Sequence, residues 1–198
     1  FTLILVIGLT LTGFQCSSAE STSAKLYIQR EDWPAAEKAL MNEVEKNPSN
    51  AEAWYLLGDV RRQKNDYPGM LSAFESSLNV PTLGKEWESK IKDAKKFVWG
   101  QALNQGVSSY NRSTSVPKDS ALLLREAAVK SYTVALLINP DSAITYQNMA
   151  IAQLALGNLD EEIKYLRLAL QRKSDPQFST YLINAYVTKA EDAKRANK

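Results

Sequence analysis

One interval, 34 residues, recurs along this chain and constrains its fold more than any other feature. Trp33, Ala36 and Leu40 are followed one interval later by Tyr67, Met70 and Phe74. Ala128, Tyr132, Ala135 and Leu136 lead in the same way to Glu162, Leu166, Ala169 and Leu170, and Tyr146, Met149 and Ala150 to Thr180, Ile183 and Asn184. From Phe74 to Tyr132 the distance is 58, one interval plus 24 residues. A period of roughly 34 with apolar residues at helical spacing belongs to a helix–turn–helix unit. Each pair of antiparallel helices has an apolar face that it cannot cover alone. Units therefore stack, and stability comes from nearest-neighbour interfaces. Large residues such as Trp54 and Phe74 are expected to fill the space between helices. Small ones such as Gly58, Ala150 and Ala169 let backbones approach.

The stretch 51–81 sets Trp54, Leu57, Gly58, Phe74 and Pro81 in the pattern W-x2-L-G…F…P. On these residues the chain resembles tetratricopeptide-repeat proteins. Arg61 stands where those repeats favour an aromatic residue, and Met70 where they favour a small one. The resemblance implies an all-α fold, an α-solenoid of antiparallel helix pairs with about four to five repeats and one lengthened hairpin. Units are expected at 20–48, 49–82, 83–141 (with the insertion), 142–175 and 176–198, the last incomplete. Tyr132, Ala135, Tyr146 and Leu166 take repeat-defining positions beside those already named.

Local signals divide the units. Residues 20–30 read as a short first helix, and Pro34 opens a second that runs to about Lys46. Ser49 and Glu52 form a capping-box pattern ahead of a helix ending near Lys64, and Pro68 starts its partner. Residues 84–112 read as one long helix or two joined near Gly100. Glu86 and Glu88 stand four residues before Lys90 and Lys92 on a solvated face, with Trp87, Phe97 and Trp99 turned to the core. Residues 112–120 read as a loop and 119–138 as a helix. Asp160, Glu161 and Glu162 fall in a first helical turn, where acids complement the helix dipole rather than bind a cation. Asp175 and Pro176 open a final helix.

The front of the chain is of another kind. Residues 1–15 carry a charge-free apolar run, shorter than the ~20 residues that span a bilayer, and they read as a signal peptide whose front end is missing. The only cysteine, Cys16, follows directly, then a polar tether to residue 22. This arrangement resembles a bacterial lipoprotein signal, which implies lipidation of Cys16 and a membrane-anchored place in the periplasm, on the outer membrane by preference. Cleavage after Ala19 and an uncleaved anchor are the alternative readings.

Chemistry is sparse. There is no histidine and a single cysteine, which removes the imidazole base, the Ser–His and Cys–His pairs and any disulfide within the chain. No phosphate-binding glycine loop occurs, and a net charge of +2 gives no electrostatic reason to expect nucleic acid. The chain reads as non-enzymatic, with no cofactor and no metal. What remains is surface. The resemblance implies a concave groove, lined by the first helix of each unit, that takes a peptide or helix of a partner protein. Carried over slot by slot, the groove residues are Glu52, Tyr55, Asp59 and Arg62, then Ile144, Gln147, Ile151 and Leu154, then Phe178 and Tyr181. Tyr55 and Asp59 stand where relatives that clamp a carboxylate would carry Lys and Asn, so an amphipathic segment is favoured over an anionic tail. A glycan- or nutrient-binding component of an outer-membrane uptake system, and a regulatory module of a larger protein, are the other readings.

Overall fold

The computed structural model describes residues 18–81 and 85–196. Among the described residues there are nine helices and no strand: α1 (Ala19–Gln29), α2 (Trp33–Lys46), α3 (Ala51–Gln63), α4 (Tyr67–Leu78), α5 (Lys85–Ser113), α6 (Lys118–Ile138), α7 (Ala143–Ala155), α8 (Leu159–Arg172) and α9 (Pro176–Ala196). They form the expected α-solenoid of antiparallel pairs. The signal segment and Cys16 lie outside the described residues.

Helix starts share one device. A side-chain oxygen of Ser18, Asp32, Asn50, Asp66 or Ser142 accepts the backbone N–H three residues on, which satisfies an amide the first turn leaves free. Proline follows near the start of α2 and α4, where its missing N–H costs nothing. The turns inside the units also repeat. Glu31, Asn65 and Gly157 take positive φ at equivalent positions, reversing the chain in a few residues.

Two expectations are corrected here. The cap of α3 is Asn50, not Ser49, and Glu52 turns away to pair with Lys25 at 2.8 Å. Asn50 wins because its oxygen takes the Ala53 amide while its nitrogen donates to Glu43 Oε1 at 2.8 Å. The loop expected over 112–120 shrinks to 114–117, since α5 continues through Ser113 and Pro117 itself stands at the head of α6. Of the two readings of 84–112, the single uninterrupted helix is the one found.

Packing follows the neighbour rule. One cluster joins Ala24, Leu40, Leu57 and Ala73 from α1 to α4, and the next joins Met70 and Phe74 to Ile91, Val98 and Ile138 on α5 and α6. A third joins Ala128 and Tyr132 to Met149 and Ala152, and a fourth joins Ala150 and Leu166 to Ala185 on α9. Both departures from the repeat pattern find a use. Met70 fills the extra space toward α5, and Arg61 spans two units by donating to Glu37 at 3.0 Å and to the Gly69 carbonyl at 3.2 Å. Trp54 lies partly exposed and donates its indole N–H to the Pro48 carbonyl at 2.9 Å.

The 24 extra residues are shared between α6, 21 residues long, and α5, 29 residues and about 43 Å long at 1.5 Å per residue. Its first half packs with α3 and α4, through Trp87 against Tyr55 and Ile91 in the Phe74 cluster. Its second half packs with α7, through Leu103, Val107 and Tyr110 beside Met149 and Ala152. Trp99, between the halves, donates to Thr145 Oγ1 at 3.2 Å near the start of α7. One helix therefore serves two neighbouring layers at different heights, and the solenoid steps along α5 at this point.

Buried charge secures the opening layer. Glu43 is only 2% exposed and accepts from the Ser18 hydroxyl, Asn47 and Asn50. Burial alone would raise this carboxyl, but the donors from Ser18, Asn50 and Asn47 outweigh it and hold the group below its ordinary 4.5. The stabilisation is complete above the unfolded carboxyl's titration and is lost as pH falls through the lower folded value. Acid unfolding followed by circular dichroism will show this: Glu43→Gln lowers stability at neutral pH and flattens its decline below pH 4.5.

Glycines supply a second prediction. A Cβ on Gly58 overlaps the Phe74 ring, whereas one on Gly100 meets nothing within 4 Å. In urea unfolding, Gly58→Ala costs about 1–3 kcal/mol through overpacking. Gly100→Ala gains about 0.5–1 kcal/mol as a helix-interior replacement.

Candidate functional site

α3 and α5 run side by side and carry their polar and aromatic residues to one face. On α3 the spacing of Glu52, Tyr55, Asp59 and Arg62 follows the helical repeat, and on α5 that of Trp87, Lys90, Ala94 and Phe97 does the same. Between them lies a cleft of about 390 Å³ lined by Tyr55, Asp59, Arg62, Lys90, Asp93, Ala94 and Phe97.

Each wall is held from behind. Tyr55 stacks on buried Phe74 with ring centroids 5.8 Å apart and an interplanar angle of 16°, and Trp87 tilts against it at 5.1 Å. Burial, and secondarily the nearby Asp59 carboxylate, raises the Tyr55 phenol, so the ring stays neutral at physiological pH. Arg62 is paired with Asp59 at 2.7 Å, and its guanidinium lies 5.9 Å from the Phe97 centroid. Lys90 is paired with Glu86 at 2.6 Å and sits 4.2 Å from the Trp87 ring centroid. Asp93 makes no ion pair or hydrogen bond with any described residue.

The expected groove residues divide. Tyr55, Asp59 and Arg62 meet in the cleft, with Glu52 beyond it in its pair with Lys25. Ile144 and Leu154 are exposed on α7, and Ile151 is half-buried. Gln147 is buried, and Phe178 is 4% exposed against Tyr146 and Ala169, so its ring fills the space between units rather than lining a surface. Tyr181 is half-buried and accepts from Gln177 at 2.9 Å.

The α5 wall was not among the expected site residues. Phe97, expected to face the core, is 58% exposed, whereas Ile91 and Val98 on the same helix are buried. The available signal was phase: Lys90, Ala94 and Phe97 share one face, while Ile91 and Val98 share another.

The acids at the head of α8 go three ways. Asp160 pairs with Lys189 at 2.5 Å and Glu161 with Lys164 at 2.8 Å. Glu162 is buried, with Oε2 unpartnered among the described residues, and burial raises its carboxyl. No group of three His, Cys, Asp or Glu among the described residues is placed to hold a metal ion. No described helix is long and apolar enough to cross a membrane.

Comparison with known proteins gives the repeats their name. Sequence models of the tetratricopeptide repeat match residues 22–78 and 143–176, so the chain carries tetratricopeptide repeats on both sides of the long hairpin. Among solved structures it is similar to the TPR2AB domain in a pHSP90 complex of yeast Sti1, at 17% identity, covering 86% of this chain and 70% of that one with a TM-score of 0.41. It is also similar to TTC0263, a TPR protein of Thermus thermophilus, at 18% identity over 86% and 83% of the two chains with a TM-score of 0.36. YrrB, described as a TPR protein with an unusual peptide-binding site, aligns at 16% identity over 81% and 88%, with a TM-score of 0.34. No curated protein matches the chain.

The two Phe residues near the cleft separate surface from core. In chemical denaturation Phe74→Ala costs about 3–5 kcal/mol. Phe97→Ala stays within about 0.5 kcal/mol of the parent, as a surface substitution does. A large loss at Phe97 would show that its ring belongs to the core.

Proposed function

We propose that this chain is a non-enzymatic interaction scaffold that holds a peptide or helix of a partner protein in the cleft between α3 and α5. Tetratricopeptide solenoids have a fold suited to protein–protein interaction, because stacked helices give an extended, preorganised surface. The observation that carries the reading is Phe97. It is a large apolar side chain left open in a concave site whose other aromatic wall, Tyr55, is fixed from behind by Phe74. An aromatic anchor in a rigid cleft with charged residues at its rim is how a binding surface concentrates affinity in a few contacts. The exposed Ile144 and Leu154 on α7 continue apolar surface along the solenoid for a longer ligand.

The anchor belongs to the same proposal. Cys16 is read as the lipidated first residue of the mature protein, which would hold the scaffold at a bacterial envelope membrane. Ser18 is already bonded to Glu43, so the intervening chain reaches at most about 7 Å. A lipid on Cys16 would therefore keep the first helix pair close to the membrane surface rather than on a stalk. Fractionation of the full gene product tests this. Cys16→Ala should move the protein from membrane to soluble fractions, and an unchanged distribution would remove the anchor.

A photo-crosslinking amino acid tests the groove in its own cell envelope. Placed at Phe97, it should give a discrete protein adduct. Placed at Met41, which is exposed on α2, it should give none. Equal labelling from both positions, or none from Phe97, would contradict the reading.

A further inference from the structure

We propose that the α3–α5 cleft selects a segment in which a bulky apolar side chain stands beside a lysine or arginine. This rests on the cleft being the binding groove and adds the chemistry of its ligand.

The apolar part follows from the floor. Tyr55, Ala94 and Phe97 line the cleft, and Phe97 is the side chain left most open. Covering it removes apolar surface from water, and only an apolar group can do so without stranding a polar one. A volume of about 390 Å³ lies at the small end of ligand pockets, sized for one large side chain rather than a whole helix.

The charge follows from which ions already have partners. Arg62 is neutralised by Asp59 at 2.7 Å, Lys90 by Glu86 at 2.6 Å and, beyond the cleft, Glu52 by Lys25 at 2.8 Å. The two cations of the cleft are further engaged with the Phe97 and Trp87 rings. Asp93 alone among the charged lining residues has no partner among the described residues. An incoming carboxylate would face Asp93 and would have to break an existing pair to reach either cation of the lining, Arg62 or Lys90. Lys92 and Lys96, which have no ion pair among the described residues, stand on α5 outside the lining. An incoming cation meets Asp93 and breaks nothing. Within the lining, one sign is thus favoured through attraction and the other is rejected.

The spacing follows from α5. Asp93 and Phe97 are four residues apart on one face of the helix, about 6 Å along its axis. An extended ligand covers that distance in two residues, and a helical one in a single turn. The basic residue therefore lies one or two positions from the anchor in a strand-like ligand, or three to four in a helix.

Panning a random dodecapeptide phage library on the full chain, Asp93→Lys and Phe97→Ala tests this. Both substitutions are at exposed positions, and a thermal melt confirms that each variant folds. The parent should enrich peptides with Phe, Trp or Leu near Lys or Arg. Asp93→Lys should shift the enrichment to Asp or Glu beside the same anchor, and Phe97→Ala should remove the anchor preference. A parent-selected peptide, synthesised, should bind Asp93→Lys roughly tenfold more weakly. If Phe97→Ala removes the anchor preference while Asp93→Lys leaves the charge preference unchanged, the inference fails and the groove stands. Acidic peptides enriched on the parent overturn it in the same way. If Phe97→Ala leaves the selection unaltered, or the parent enriches nothing, the groove reading falls with it.

Discussion

No helix pair in this protein can hide its own apolar face, and the architecture follows from that shortage. Leu57 and Phe74 belong to the same pair, yet Leu57 packs with α1 and α2 while Phe74 packs with α5 and α6. The pair is thus an adhesive layer with two sides. Stability in such a stack is a sum of neighbour terms, so a defect at one interface is felt mainly by the two units that share it. Glu43 shows the same logic in polar form, since its carboxylate binds donors at the ends of α1, α2 and α3 together.

The long hairpin changes what a layer can do. A regular first helix such as α3 or α7 has 13 residues and meets its neighbours at one height. With 29 residues, α5 meets α3 with its first half and α7 with its second. The Lys90–Phe97 face lies in that first half, opposite Tyr55, Asp59 and Arg62 of α3, and the cleft forms between them. One helix thus carries both features, the candidate site on its in-register first half and the step beyond it. Tyr55 makes the connection physical, touching the Phe74 core on one side and the open cleft on the other.

The sequence disclosed the repeat, the helix pairs and the lengthened hairpin because these depend on spacing, which survives substitution. Arg61 and Met70 break the pattern without breaking the fold: one replaces an aromatic contact by an ion pair with Glu37, and the other fills its space by bulk. The site was only half legible. Tyr55, Asp59 and Arg62 lie in a regular unit, so their slots could be counted. Lys90, Asp93 and Phe97 lie in the first thirteen residues of α5, where the interval from α3 still holds and Asp59 leads to Asp93. That stretch is charged and lacks the repeat's marker residues, however, and the aromatic character of Phe97 pointed inward by default. Phe178 illustrates the opposite error. Its slot was counted as a surface slot, but the ring closes the gap between Tyr146 and Ala169. Slot arithmetic reports phase, and the neighbour decides exposure.

Hydrogen–deuterium exchange across α5 tests the layered account most directly. If α5 is a single helix shared by two layers, its amides exchange slowly from end to end, including those around Gly100, and they open together with α6. Protection should then decline outward toward α1 and α9. Fast exchange at Gly100, with the two halves of α5 opening independently, would contradict the account, because the stack would then be two separate bodies with a linker between them.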